Sequence, residues 1–308
     1  MKKVDTKTFV QTLEVKVPII ENFFNLGDCT RCLVQSEDGK FHRINYERGQ
    51  VLYALIAKYR PKSVLEIGTG GGYSALCMAW AMTDHNIEGK IYTIDPIPPD
   101  QSREWIIDWG KGNGPTIDSL SINEVWPKIA PSDWLNKIEI ITGYSGEVFS
   151  KKNFTNIDFA YIDGWHTFDY TLIDFWYIDK MLSQGGIVGF NDCHLRSVHK
   201  VINFVLTHRN YVEIDVGLKA TYAWRRELKR IAKLQFDSRH RIPMVDRYFQ
   251  KVQDFGIVVL FQLPNSLCGY NQHIYFRHEC RAMHAQKGLN FQVHVKSTLL
   301  QAASEHAF

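Results

Sequence analysis

The chain has 308 residues, an ordinary globular share of apolar side chains (45%) and a net charge of only +3, too mild to imply a nucleic-acid partner by itself. Apolar runs such as Ile257 to Phe261 are far too short to cross a bilayer, so no membrane partner is expected. Six scattered cysteines, and a start at Met1-Lys2-Lys3 followed by Asp5, Lys7 and Gln11 with no apolar stretch, suit a reducing, cytoplasmic setting without a signal peptide.

In chain order, residues 1–45 read as an N-terminal helix, with Phe9, Leu13, Val17, Ile20 and Phe24 on one face, and a polar loop. Tyr46 to Gln50 lead into a helix through Leu52, Leu55 and Ile56 that Pro61 breaks. Val64 to Ile67 form a strand that runs into Gly68-Thr69-Gly70-Gly71-Gly72-Tyr73, and a helix opens at Ser74. A strand, a glycine-rich turn and a helix start make a nucleotide-binding α/β beginning. The glycines let the backbone approach a ligand, and the helix N-terminus offers free N–H groups to an anionic end. Tyr73 stands where a dinucleotide fingerprint needs its third glycine, which argues against a dehydrogenase. Lys90 to Asp95 are a second buried strand ending in a carboxylate, roughly 25 residues after the glycines, where an acid can accept both ribose hydroxyls.

Residues 96–136 are longer than a plain strand–helix–strand link needs and hold Trp105, Trp109, Trp126 and Trp134, the mark of a lid or binding element. Alternation then resumes with strands at 138–141, 157–162, 187–190 and 211–216 and helices at 146–151, 168–182 and 197–207. A seventh strand is expected at Phe255 to Leu263, apolar and β-branched. In an open α/β sheet ligands sit outside the carboxyl ends of the strands. Asp163-Gly164-Trp165-His166 close one strand and Asn191-Asp192-Cys193-His194 the next, so Asp163, Asn191 and Asp192 arrive at one rim with His166 beside them. Three oxygen donors suit a hard cation such as Mg²⁺, and a histidine there can act as general base.

Glu66 with the glycine turn, followed by these strand ends, resembles a class I S-adenosylmethionine (SAM) methyltransferase. Over residues 43–216 it is similar to the metal-dependent O-methyltransferases of the catechol and caffeoyl-CoA type, and closer still to those that methylate sugar hydroxyls on macrolides. The resemblance implies an α/β, Rossmann-like fold: a seven-stranded, mostly parallel sheet with one antiparallel strand and helices on both faces. It implies SAM and Mg²⁺ or a similar divalent cation as cofactors, and a small hydroxylated acceptor from natural-product chemistry. It also implies roles. Asp163, Asn191 and Asp192 match metal ligands and His166 the base. Glu66, Gly68, Ser74 and Asp95 match methionine and ribose contacts. Trp165 matches a position packing on adenine and Ser145 one that hydrogen-bonds it. Thr69, Gly70, Tyr73 and Asp163 complete the expected cofactor-contacting set. Asn191 departs from the sugar-modifying relatives, which usually carry an acid there. Similar enzymes are commonly homodimers.

The expected organisation is an extension at 1–45, a SAM-binding domain at 46–263 with insertions at 96–136 and 219–251, and a C-terminal extension at 264–308. Lys219 to Lys251 carry ten basic residues against three acids, which suits either a cover over an anionic acceptor or a solvated, self-associating face. Cys29 and Cys32 form a lone C-x-x-C that reads as unpaired thiols, and Cys268, His273, His278 and Cys280 give no zinc framework. Two rivals stand beside the main reading: a metal-independent methyltransferase acting on nitrogen or a larger substrate, and a non-catalytic SAM-fold binding protein.

Overall fold

The computed structural model describes residues 6–110, 112–217 and 246–252. It opens on α1 (Thr6–Thr12) and α2 (Ile20–Asp28), two helices where one was expected. Val17-Pro18 is the reason: proline has no N–H to donate, and it pushes the residue before it out of the helical region. The polar loop that follows folds as a hairpin of β1 (Leu33–Gln35) and β2 (Phe41–Arg43). Next comes α3 (Glu47–Tyr59), which stops at Arg60, in the left-handed conformation, before Pro61. The expected strand–turn–helix–strand follows as β3 (Ser63–Ile67), α4 (Tyr73–Asp84) and β4 (Lys90–Asp95).

The tryptophan-rich insertion has its own structure: a hairpin of β5 (Arg103–Ile107) and β6 (Thr116–Leu120), then α5 (Ile122–Ile129) and α6 (Ser132–Leu135). Alternation resumes with β7 (Ile138–Thr142), α7 (Ser145–Lys151), β8 (Ile157–Ile162), α8 (Phe168–Met181), β9 (Leu182–Phe190), α9 (Arg196–His208), β10 (Tyr211–Ile214) and β11 (Arg247–Lys251).

The main sheet has seven strands in the order β10-β11-β9-β8-β3-β4-β7. Strands β9, β8, β3, β4 and β7 run parallel, while β11 is antiparallel to both its neighbours. The chain winds from β3 through β4 to β7 and then crosses back to β8 on the other side of β3. The crevice beside β3 is therefore a topological switch point, where open α/β sheets bind ligands. Side chains alternate between the two faces, as a period of two requires. Val64, Ile91, Phe159, Tyr161, Ile187 and Tyr248 join the core under α3, α4 and the insertion. Leu65, Ile94, Ala160, Val188, Phe190 and Phe249 join the core under α7, α8 and α9.

The antiparallel strand corrects the sequence reading. It is Arg247–Lys251, a stretch assigned above to the basic insertion. Its Arg-Tyr-Phe-Gln-Lys pattern looks polar, yet Tyr248 and Phe249 are fully buried on opposite faces because β11 lies inside the sheet, between β9 and β10. The segment Phe255 to Leu263, residues 219–245 of the basic stretch, the extension 264–308, and Cys268, His273, His278 and Cys280 lie outside the described residues. Among the described residues no helix is long and apolar enough to cross a membrane.

Candidate active site

The glycine turn is shaped by what presses on it. Gly68 has φ +92°, and a Cβ there would lie 2.1 Å from the Asp163 carbonyl oxygen, so only glycine lets the β3 and β8 exits cross this closely. Gly72, at φ +88°, lies under the Trp126 ring, and the Trp126 indole N–H donates to the Gly71 carbonyl (3.1 Å). The insertion thus holds the turn from outside. From inside, Glu66 is fully buried and accepts hydrogen bonds from the Ser74 hydroxyl and from Thr93 Oγ1 (2.6 Å). Burial pushes its carboxyl up to about 7 against those two donors. Thr69 Oγ1 meets Thr93 Oγ1 at 2.7 Å.

Asp95 ends β4 with Oδ2 accepting the Gly70 N–H (2.9 Å) and Oδ1 the Ile97 N–H (2.9 Å), which aims the carboxylate across the crevice. Each oxygen keeps a lone pair for a ribose hydroxyl. Tyr73 turns away: its hydroxyl donates to the Tyr46 carbonyl (2.8 Å) and its ring is buried, leaving its backbone as the part that can meet a ligand. Ser145, at the start of α7, donates to Asp174 of α8, whose carboxyl burial raises to about 6. Trp165 is 58% exposed and stacked on Tyr170 at 6.1 Å, a large flat surface open at the rim.

At the exits of β8 and β9 the expected residues come together. His166 Nε2 lies 3.4 Å from Asp163 Oδ1 and 3.5 Å from Asp192 Oδ2, so two carboxylates from two strands converge on one point. Burial lowers the His166 pKa, but Asp163, Asp192 and the Asn191 side chain outweigh it, and the net shift is upward. Burial and the neighbouring Asp163 charge raise Asp192, against the pull of His166 and other cations. Asp192 sits at φ +54°, a left-handed conformation that costs a non-glycine residue about 1 kcal/mol or more and clusters at functional sites. Its Oδ1 is buried without a hydrogen-bond partner among the described residues, and His194 Nδ1 lies 3.9 Å away.

Two residues of this site carried no sequence signal. Arg48, in the first turn of α3, donates from Nη1 to Asp163 Oδ2 (2.7 Å), and its side chain is 13% exposed. Asp246 stands immediately before β11 and accepts hydrogen bonds from Asn191 Nδ2 (2.8 Å), Tyr161 (2.7 Å) and Tyr248 (3.1 Å). Burial raises its carboxyl to about 6. Only the three-dimensional path of α3 and of a strand that enters from residue 246 brings these two to the rim. Cys29 and Cys32 are free, buried thiols whose pKa burial raises to about 11.

Residues 65–193 match the model of a methyltransferase domain, and residues 22–103 that of an O-methyltransferase. Over residues 65–193 the chain thus carries a methyltransferase domain. Solved structures similar to this methyltransferase include the O-methyltransferase TomG from Streptomyces achromogenes, crystallised with SAM. It is 14% identical, with 82% of this chain and 99% of that one covered and a TM-score of 0.48. The Podospora anserina methyltransferase PaMTH1, bound to S-adenosylhomocysteine, is 15% identical, with 79% and 93% covered and a TM-score of 0.49. No curated protein matches the methyltransferase chain.

Among the described residues no group of three or more histidine, cysteine, aspartate or glutamate side chains is arranged to hold a metal ion. At the rim only two of the three expected donors are carboxylates, and the third is the Asn191 amide. The donor chemistry nonetheless fits a hard cation: Asp163 Oδ1, the unpartnered Asp192 Oδ1 and an amide oxygen are hard-oxygen ligands.

Proposed function

We propose that this methyltransferase transfers the methyl group of SAM to a hydroxyl oxygen of a small molecule such as a sugar or a phenol, with a divalent cation assisting. The observation that supports it most is the convergence of Asp163 and Asp192 on His166 Nε2 at the mouth of the crevice beside Asp95 and the glycine turn. Asp95 would hold the SAM ribose, Trp165 and the start of α7 the adenine, and the glycine turn the methionine end. Asp163, Asn191 and Asp192 would hold the cation, which, when bound, lowers the pKa of the acceptor hydroxyl. His166 takes the hydroxyl proton on Nε2. The acceptor oxygen then attacks the methyl carbon, a carbon–oxygen bond forms, the carbon–sulfur bond breaks, and S-adenosylhomocysteine leaves. Asp163 and Asp192 stabilise the imidazolium so formed.

The test pairs cofactor binding with turnover. Calorimetry should give a micromolar or tighter dissociation constant for S-adenosylhomocysteine, weakened by about 1–3 kcal/mol in Asp95→Ala through lost charge-assisted hydrogen bonds. His166→Ala should lower kcat by about 10²–10⁴ and leave that affinity intact. Turnover unchanged in His166→Ala would overturn the assignment. One observation favours a second reading, a metal-independent reaction: the Arg48 guanidinium already neutralises Asp163. Full activity in excess EDTA selects that reading.

A further inference from the structure

Asn191 is buried between an acceptor and a donor. On one side lies the Asp246 carboxylate, on the other the His166 imidazole held near Asp163 and Asp192. A carboxylate accepts hydrogen bonds and offers none, so the face of the Asn191 amide turned to Asp246 has to be its amino group. The observed contact, Asn191 Nδ2 to Asp246 Oδ1 at 2.8 Å, obeys this. The amide oxygen is thereby left for the rim. Asp246 is itself locked. Its other oxygen takes both the Tyr161 and the Tyr248 hydroxyls, and both Asn191 and Asp246 are 2% exposed, so water cannot replace any partner cheaply.

We propose that Asp246 is a positioning residue for the catalytic rim: it fixes the Asn191 amide so that its oxygen, not its amino group, faces the reacting site. This rests on the reading of that rim as the methyl-transfer centre. It explains why an amide stands at 191 beside two acids. An aspartate there would set a second carboxyl against buried Asp246 with no donor between them unless one of the pair takes up a proton. It also gives the last stretch of the sheet a task in the chemistry, because the strand that begins at Arg247 delivers Asp246 beneath the exit of β9.

A charge swap tests the pair on the full-length protein. Asn191→Asp alone should lower the melting temperature by roughly 5–10 °C, the response of a domain this size to a few kcal/mol of buried repulsion. Asp246→Asn alone should be mild, since its amide oxygen can face Asn191 while its amino group meets tyrosine hydroxyls turned to accept. The double variant restores the pair with its direction reversed and should recover at least half of the loss. A double variant no more stable than the sum of the two single changes would overturn the proposal.

Orientation is read separately, from the ¹⁵N signals of His166 in histidine-labelled protein. They should shift in Asp246→Leu, whose Asn191 is free to turn over, and stay near the wild-type position in Asp246→Asn. Unmoved signals in a folded Asp246→Leu protein would leave Asp246 a purely structural residue and refute the positioning role. Calorimetry with S-adenosylhomocysteine on the same variants keeps the two readings apart. Failure of the wild-type protein to bind it removes the methyltransferase reading, whereas the swap and the ¹⁵N signals judge the pair on their own.

Discussion

At the residue scale the site is a problem of buried charge. Glu66, Asp163, Asp192 and Asp246 all lie within the electrostatic reach of Arg48, whose guanidinium pairs with Asp163. Its Nε is buried without a hydrogen-bond partner among the described residues. Such a group is held by its neighbours' charge rather than by a full set of hydrogen bonds. Arg48→Met should therefore cost about 3–5 kcal/mol in urea unfolding, because it leaves Asp163 buried and uncompensated. Arg48→Lys should lose less, keeping the charge but not the planar fork. A loss below about 1 kcal/mol in Arg48→Met would mean that solvent, not Arg48, stabilises Asp163. The sequence exposed Asp163, Asn191, Asp192 and His166 because they sit at fixed offsets from strand ends, and strand ends are legible. It hid Arg48, one more charge in a helix's first turn. It also hid the reason for Asn191, because the explanation lies 55 residues downstream in Asp246.

Elements were legible where local pattern and tertiary environment agree. Strands β4 and β8 and helices α3 and α8 were read close to their observed bounds because buried parallel strands are apolar runs and their helices follow at short spacing. The reading failed where a nonlocal partner decides. Strand β11 is inside the sheet by virtue of β9 and β10, and its charged flanks, Arg247 and Lys251, masked the two buried aromatics between them. The sequence suggests a lid or binding element for the insertion; the structure shows a brace. Helix α5 sets Trp126 against Gly72 and bonds the Gly71 carbonyl, so the turn's conformation depends on it. Trp126→Phe keeps most of the ring and removes the indole N–H. It should weaken S-adenosylhomocysteine by roughly three- to tenfold, the worth of about one net hydrogen bond. Calorimetry giving an unchanged affinity would show that the turn holds its shape without the brace.

For the domain as a whole, the buried acids set how stability follows pH. Glu66, raised to about 7, and Asp174 and Asp246, each raised to about 6, share one cause, burial that penalises the charged form. Each folded pKa lies above its unfolded value. Below about pH 4 both states hold the proton and these groups contribute nothing to the difference. As the pH rises, the unfolded chain ionises first, and the folded protein either keeps a proton or carries a desolvated charge. Stability therefore falls between about pH 4 and pH 7 and flattens above the folded values. His166 acts in the same direction, since its raised pKa gives stability that is lost as the imidazolium deprotonates. Glu66 is the largest single case, because it is fully buried and its shift from 4.5 to about 7 corresponds to about 3 kcal/mol at pH 8. Glu66→Gln removes the ionisable group while an amide can still accept from one of the two hydroxyls. The variant should be more stable than the wild type by about 1–3 kcal/mol at pH 8 and no more stable at pH 5, with urea unfolding across that range as the measurement. A stabilisation independent of pH, or a loss at pH 8, would mean that the carboxylate is held charged by Ser74, Thr93 and Arg48. Burial would then not be what governs the floor of the cofactor crevice.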